Sequence, residues 1–198
     1  MSGHKDQVGG ADLVVISGPS GVGKSTVVHA VLEREPGLRF SVSATTRAPR
    51  QGEQDGVDYH FVTRAEFEKL RGRGGLIEHA EVFGELYGTP VAQLEAARQA
   101  GQMLLLEIDV QGGMQICRKF PAALEILIVP PSLEALRERL AGRGTETAAA
   151  VARRFAEAET ELTVARRSGV YTSEVVNDKL ERAVEDVVRL IENHRRKR

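Results

Sequence analysis

Residues 13–25 constrain the fold more than any other part of the chain. Leu13-Val14-Val15-Ile16 is a short apolar run with β-branched residues, followed by Gly18-Pro19-Ser20-Gly21-Val22-Gly23-Lys24-Ser25. A run without polar alternation reads as a strand buried on both faces, which requires a sheet covered on both sides by helices. Beyond the glycines, Val27, Val28, Val31 and Leu32 fall at helical spacing, and the stripe ends before Pro36-Gly37. Strand, glycine turn and helix in this order open an α/β fold.

The turn fits G-x-x-x-x-G-K-[ST] in the context that this pattern needs. Its glycines let successive backbone N–H groups turn inward on a polyphosphate, and the helix N-terminus adds about half a positive charge. Gly18, Pro19, Ser20, Gly21, Val22, Gly23, Lys24, Ser25 and Thr26 are therefore the candidate triphosphate-binding residues. Lys24 is suited to the β- and γ-phosphates, and the Ser25 hydroxyl to the coordination shell of Mg²⁺. The loop specifies a nucleoside triphosphate with magnesium but not the acceptor, since ATPases, GTPases and small-molecule kinases all use it.

Two further apolar runs, Met103-Leu104-Leu105-Leu106 and Ile126-Leu127-Ile128-Val129, repeat the buried-strand signature, each ahead of a helical stretch. They predict a central parallel sheet with crossover helices. Val175-Val176 is a candidate strand before the final helix, which Asn177 or Asp178 is expected to cap. The segment from Phe40 to Ala92 differs. Ser41-Val42-Ser43, Val57 to Phe61 and Leu76 to Val82 read as short strands, around a helix opened by a capping box at Thr63-Arg64-Ala65-Glu66. From Leu136 to Arg167 the chain is Ala-, Glu- and Arg-rich and helical, with Gly142 and Gly144 as hinge candidates.

At 198 residues the chain suits one well-buried core with room for inserted subdomains. The net charge of -1 leaves no global basic field for nucleic acid, so any anion site is local. A single cysteine, Cys117, excludes an intramolecular disulfide and suits a reducing compartment. The N-terminus is polar, without the apolar core of a secretion signal, and no apolar stretch approaches the ~18 residues of a membrane span. The expectation is a cytoplasmic protein with neither nucleic acid nor membrane as partner.

The acceptor is addressed by Ser43-Ala44-Thr45-Thr46-Arg47-Ala48-Pro49-Arg50-Gln51-Gly52-Glu53 and Gly56-Val57-Asp58-Tyr59-His60-Phe61. Arg47 and Arg50, in a stretch broken by proline and glycine, are suited to clamp one phosphate dianion from two sides. This pattern resembles the GMP-binding segment of guanylate kinases, which belong to the P-loop nucleoside monophosphate kinases. The resemblance continues through Leu76-Ile77-Glu78-His79-Ala80, Tyr87-Gly88-Thr89-Pro90, Leu106 to Gly112, Pro130-Pro131-Ser132, Gly142 to Thr147 and Val176-Asn177-Asp178. It runs from Leu13 to the final helix in the family's order, and only the N-terminal tail lies outside it.

The resemblance implies that Arg47, Arg50 and Tyr59 hold the GMP phosphate and that Ser43 and Glu78 read guanine. A hydroxyl satisfies O6, and a carboxylate accepts N1–H and N2–H₂ together, whereas adenine leaves that carboxylate unpaired. Tyr59 also suits a core position, and Thr89 also suits an N-cap with Pro90 at N1. Tyr87 is a second ring near base or phosphate, and Glu53 is a brace for the arginines. Asp109, after the strand run, is expected at the carboxyl edge of the sheet, facing the Mg²⁺ shell, the GMP ribose and base, or both through water. Glu107 ranks behind it.

Because the attacking atom is a phosphate oxygen, the reaction needs aligned anions and a ring of cations rather than a base. Lys24 and Arg47 supply part of that ring, and the resemblance adds Arg143 and Arg154 from a helical lid; the other lid arginines read as a solvated face. The expected fold is a P-loop NTPase-type parallel sheet flanked by helices, with a mixed α+β GMP-binding subdomain and a helical lid. The expected division is a flexible tail over 1–11, a core over 12–40, 93–136 and 168–198, a GMP-binding subdomain over 41–92 and a lid over 137–167. The implied activity is transfer of the γ-phosphate of ATP to GMP, with dGMP a plausible second acceptor. The competing readings are a non-catalytic protein-binding module of the same fold and a related kinase with another phosphorylated acceptor.

Overall fold

A computed structural model describes residues 10–82, 84–142 and 147–197. The order of elements is β1 (Leu13–Ser17), α1 (Lys24–Arg34), β2 (Leu38–Phe40), β3 (Ala44–Thr45), β4 (His60–Phe61) and α2 (Arg64–Gly72). Next come β5 (Leu76–Val82), β6 (Glu85–Pro90), α3 (Val91–Gln99), β7 (Met103–Glu107) and α4 (Val110–Lys119). The chain continues through β8 (Leu124–Val129), α5 (Leu133–Ala141), α6 (Ala148–Ser168), β9 (Ser173–Val176) and α7 (Leu180–Arg196).

Five strands form a sheet in the order β2-β7-β1-β8-β9, and every pairing in it is parallel. Alternation of side chains sends Val14 and Ile16 into one core with Val27, Val28 and Val31 of α1 and Val184, Val187 and Ile191 of α7. Leu13 and Val15 enter a second core with Leu94 and Ala97 of α3 and Ile116 of α4. Both faces are thus covered, which is why β1, residues 103–106 of β7 and residues 126–129 of β8 read as unbroken apolar runs. α5 and α6 pack on each other through Leu136, Leu140, Phe155 and Ala158.

A second sheet has the order β4-β3-β6-β5. It packs Ala44, Leu76 and Leu86 against Phe67 of α2, whose first turn carries the expected capping box between Thr63 and Glu66. Three local expectations are corrected here. Residues 41–43 are not a strand, and within 57–61 only His60–Phe61 is one. α3 starts at Val91 with Pro90 as its N-cap, so Pro90 is not at N1 and Thr89 belongs to β6. α7 is preceded by Lys179 rather than capped by Asn177 or Asp178. Asn177 is buried and donates to the Val22 carbonyl at 2.9 Å, a tertiary bond that takes the side chain away from the helix end.

β2 and β6 were not legible as strands. Gly10 and Ala11 form a 3₁₀ turn with Asp12 rather than a tail, and the Ala11 carbonyl accepts from His194 of α7. Residues 1–9, Arg143 and Gly144 lie outside the described residues.

Candidate active site

The loop between β1 and α1 is shaped by its glycines. Gly23 has φ +94°, and a Cβ there would lie 2.7 Å from the Asn177 amide nitrogen, so a side chain fits neither the backbone nor the space. Lys24 curls over the loop and donates to the Gly18 carbonyl at 2.6 Å and the Pro19 carbonyl at 3.1 Å. Burial lowers its pKa, opposed by the charges of Glu107, Glu161 and Asp109. The Ser25 hydroxyl donates to Glu107 Oε1 at 2.6 Å. Ser25, Thr26 and Ser20 are exposed, whereas Pro19 and Val22 are buried, Val22 as part of the core.

The helices beyond β8 reach back to this loop. Arg154 of α6 donates to the Ser20 hydroxyl at 3.0 Å, and the Ser20 N–H donates to Glu161 Oε2 at 3.3 Å. Arg139 of α5 donates to the Val22 carbonyl at 3.2 Å and the Asn177 carbonyl at 2.8 Å. The sequence reading left Arg139 in the solvated face of the lid, which its bonds to the loop and to Asn177 correct; Glu161 was not singled out, and Glu107 was ranked low. A usable signal existed: Arg139 and Glu161 each flank the apolar stripe of their helix, next to Leu140 and Leu162.

The acceptor candidates gather at the second sheet. Arg47 makes a two-pronged pair with Glu53 at 2.8 and 3.0 Å, and Glu53 also accepts the Arg50 N–H at 2.7 Å. The Arg47 hydrogen bond is the main reason that the Glu53 carboxyl titrates below its usual range. The Arg47 guanidinium sits 5.4 Å from the Tyr59 ring centre, and Tyr59 and Tyr87 meet edge to face at 6.0 Å. Burial pushes the Tyr59 phenol up, and Glu107 at the phosphate-loop side adds to the shift, so the two halves lie within electrostatic reach. Arg50 is exposed, and Ser43 contributes its carbonyl to the His60 N–H at 2.8 Å.

Glu78 of β5 is buried at 5% exposure, and its Oε1 accepts from the Thr89 hydroxyl at 2.7 Å. Burial pushes this carboxyl up to about 7, against the pull of Thr89. Asp109 caps α4 and accepts the Gly112 N–H at 2.7 Å, an N-cap role not foreseen. Arg143 cannot be situated, because it lies outside the described residues.

Among the described residues there is no cluster of three or more His, Cys, Asp or Glu side chains suited to a metal. Ser25 and Glu107 nevertheless present adjacent hard oxygens at the loop. That donor set fits Mg²⁺ arriving with a nucleotide, which takes only one or two protein ligands.

A family model described as guanylate kinase matches residues 10–194. The chain belongs to the guanylate kinase family. It is 51% identical over 179 residues to the guanylate kinase of Gloeobacter violaceus, covering 90% of this chain and 86% of the relative. It is 48% identical over 179 residues to that of Synechocystis sp., covering 90% and 92%. The crystal structure of guanylate kinase from Anaplasma phagocytophilum aligns with a TM-score of 0.72 at 36% identity, covering 93% of this chain and 85% of that one. Family membership makes the chain a nucleoside monophosphate kinase, and the parallel sheet flanked by helices is the family's architecture. No helix among the described residues is long and apolar enough to cross a membrane.

Proposed function

We propose that the chain transfers the γ-phosphate of ATP to GMP, giving ADP and GDP, through the residues gathered above. The observation that carries the reading is Glu78: a buried carboxylate, held by Thr89, on the same sheet as Tyr87, with Arg47 just after β3 and Tyr59 just before β4 packed beside that ring. Such a group accepts guanine N1–H and N2–H₂ together and is left unpaired by adenine, which hydrogen-bonded sites penalise by about 10⁴-fold. Ser43 serves O6, while Arg47, Arg50 and Tyr59 hold the acceptor phosphate and Glu53 orients the arginines. dGMP is accepted through the same base and phosphate contacts.

On the donor side the Gly18–Thr26 loop wraps the triphosphate. Lys24 releases its two loop carbonyls to reach the β- and γ-phosphates. Arg143 and Arg154 neutralise charge on the migrating group, each such donor contributing about 10²–10³ in rate. Ser25, with Glu107 and Asp109 behind it, would hold Mg²⁺, which would supply charge neutralisation at the triphosphate. We take residues 41–92 as the GMP-binding unit, 137–167 as a lid that excludes water on closure, and the rest as the core. The reaction belongs in the cytoplasm, consistent with the free thiol of Cys117.

A coupled ADP-release assay with ATP and Mg²⁺, comparing GMP, AMP, CMP, UMP and no acceptor, tests this. Turnover specific to GMP, with the preference lost in Glu78→Gln, is expected. Equal turnover with AMP, or none with GMP in folded protein, refutes it.

A further inference from the structure

β5 is an edge strand of the second sheet, so one side of its backbone has no strand partner. Its ladder with β6 also shifts register between Leu76 and His79, the stretch that contains Glu78. An edge strand with an irregular ladder does not by itself hold a side chain to a fraction of an ångström. The open side is occupied by α4, a helix packed on the main sheet.

Three α4 positions at helical spacing meet three consecutive β5 residues. At position 112 the glycine lets α4 come close, because a Cβ there would lie 3.0 Å from Glu78 Oε2 and press on the carboxylate. One turn on, the Gln115 side-chain amide imitates a strand: its Oε1 accepts the His79 N–H at 3.3 Å and its Nε2 donates to the His79 carbonyl at 2.7 Å. One turn further, Lys119 Nζ donates to the Ile77 carbonyl at 3.1 Å. The Ile77 side chain packs with Ile116 of α4 and Phe120 at its C-terminus in the core of the main sheet. The backbone on both sides of Glu78 is thus tied to the core by side chains of α4.

We propose that Gln115 and Lys119 are specificity-positioning residues, which clamp the β5 backbone on either side of Glu78 and so set where the base-reading carboxylate stands. This rests on the reading that Glu78 recognises guanine. Neither residue touches substrate. Their contribution is to keep Glu78 at the distance at which both guanine donors are satisfied together, a geometry in which a misplacement of about 1 Å is costly.

The test compares GMP with IMP, whose base lacks the N2 amine, using steady-state kinetics with ATP. Gln115→Leu removes both bonds to His79 at similar size. The expected result is a rise of about tenfold in KM for GMP and a fall of about tenfold in the GMP-to-IMP ratio of kcat/KM, with KM for ATP changed less than about twofold. Gln115→Glu keeps the acceptor for the His79 N–H but sets a carboxylate against the His79 carbonyl, and it falls between wild type and Gln115→Leu. Lys119→Met tests the other arm, and it carries the proposal if Gln115→Leu does not fold.

A folded Gln115→Leu or Lys119→Met protein with an unchanged GMP-to-IMP ratio overturns the proposal. So does a parallel loss for GMP, IMP and ATP with a lower melting temperature, which assigns the two residues to stability alone. Glu78→Gln is the separate control: if it keeps the ratio, the base-reading assignment itself fails, whatever the Gln115 variants do.

Discussion

Glu125 is the second residue of β8, paired in register with Val15 of β1, and is only 3% exposed. Among the described residues neither of its carboxyl oxygens has a hydrogen-bond partner. Burial pushes it from an ordinary 4.5 up to about 8, and its charge helps to push up Cys117 and Tyr171 beside it, after their own burial. At pH 7 the unfolded carboxyl is ionised while the folded one keeps its proton. Holding that proton costs about 1.4 kcal/mol per pH unit above 4.5, or about 3 kcal/mol at pH 7.

Because the folded pKa lies above the unfolded one, the folded state binds the extra proton. Its stability therefore falls as pH rises from 4.5 to about 8 and then levels. Glu125→Gln removes the titration and keeps the shape. Relative to wild type it is expected to gain less than about 1 kcal/mol at pH 5 and about 2–3 kcal/mol at pH 7, some of the penalty being relaxed by local rearrangement. Glu125→Leu adds about 1–2 kcal/mol by removing the unpaired polar group. Urea unfolding followed by circular dichroism at pH 5, 6, 7 and 8, with matched slopes, reads these differences. A Gln-minus-wild-type difference that stays flat from pH 5 to 8 refutes the reasoning.

Burial pushes Glu78 up to about 7, and if it reads guanine as the proposed carboxylate, KM for GMP should rise about fourfold between pH 8.5 and 6.5 and stay flat in Glu78→Gln. The range stops at 6.5 because the GMP phosphate itself titrates near about 6. Glu161 takes the Ser20 N–H, a group a phosphate would use, so Glu161→Gln should tighten ATP several-fold in a calorimetric titration; unchanged or weaker binding would count against that competition. Gly113→Ala drives a methyl into the Tyr171 and Ser17 hydroxyls and should cost about 1–3 kcal/mol in urea unfolding, partly recovered in the double variant with Tyr171→Phe. Thr63→Ala, which breaks the capping box of α2, should cost about 1 kcal/mol in the same assay.

Local patterning was enough for β1, the glycine loop, α1, β7 and β8, because a two-faced core demands uninterrupted apolar strands and a helix demands its own period. The Thr63 capping box was legible for the same reason, since donor and acceptor are three residues apart. The candidate site residues were named mainly by their resemblance to a family pattern. β6 escaped notice because Tyr87-Gly88-Thr89-Pro90 carries two poor strand formers, and only pairing with β3 and β5 makes it a strand. Asn177 looked like a helix cap until the fold offered it the Val22 carbonyl, 155 residues away in sequence.

The same holds for the groups around the phosphate loop. Glu107, Arg139 and Glu161 meet it from 82, 117 and 141 residues further along the chain. Sequence by itself determined β1, α1, β7 and the apolar part of β8, whose buried faces depend on neighbours a few residues apart. Only the tertiary structure decided which charged side chains converge on the loop and what holds Glu78 in place. Those contacts depend on which surfaces meet once the apolar faces have been buried, and no local period records that.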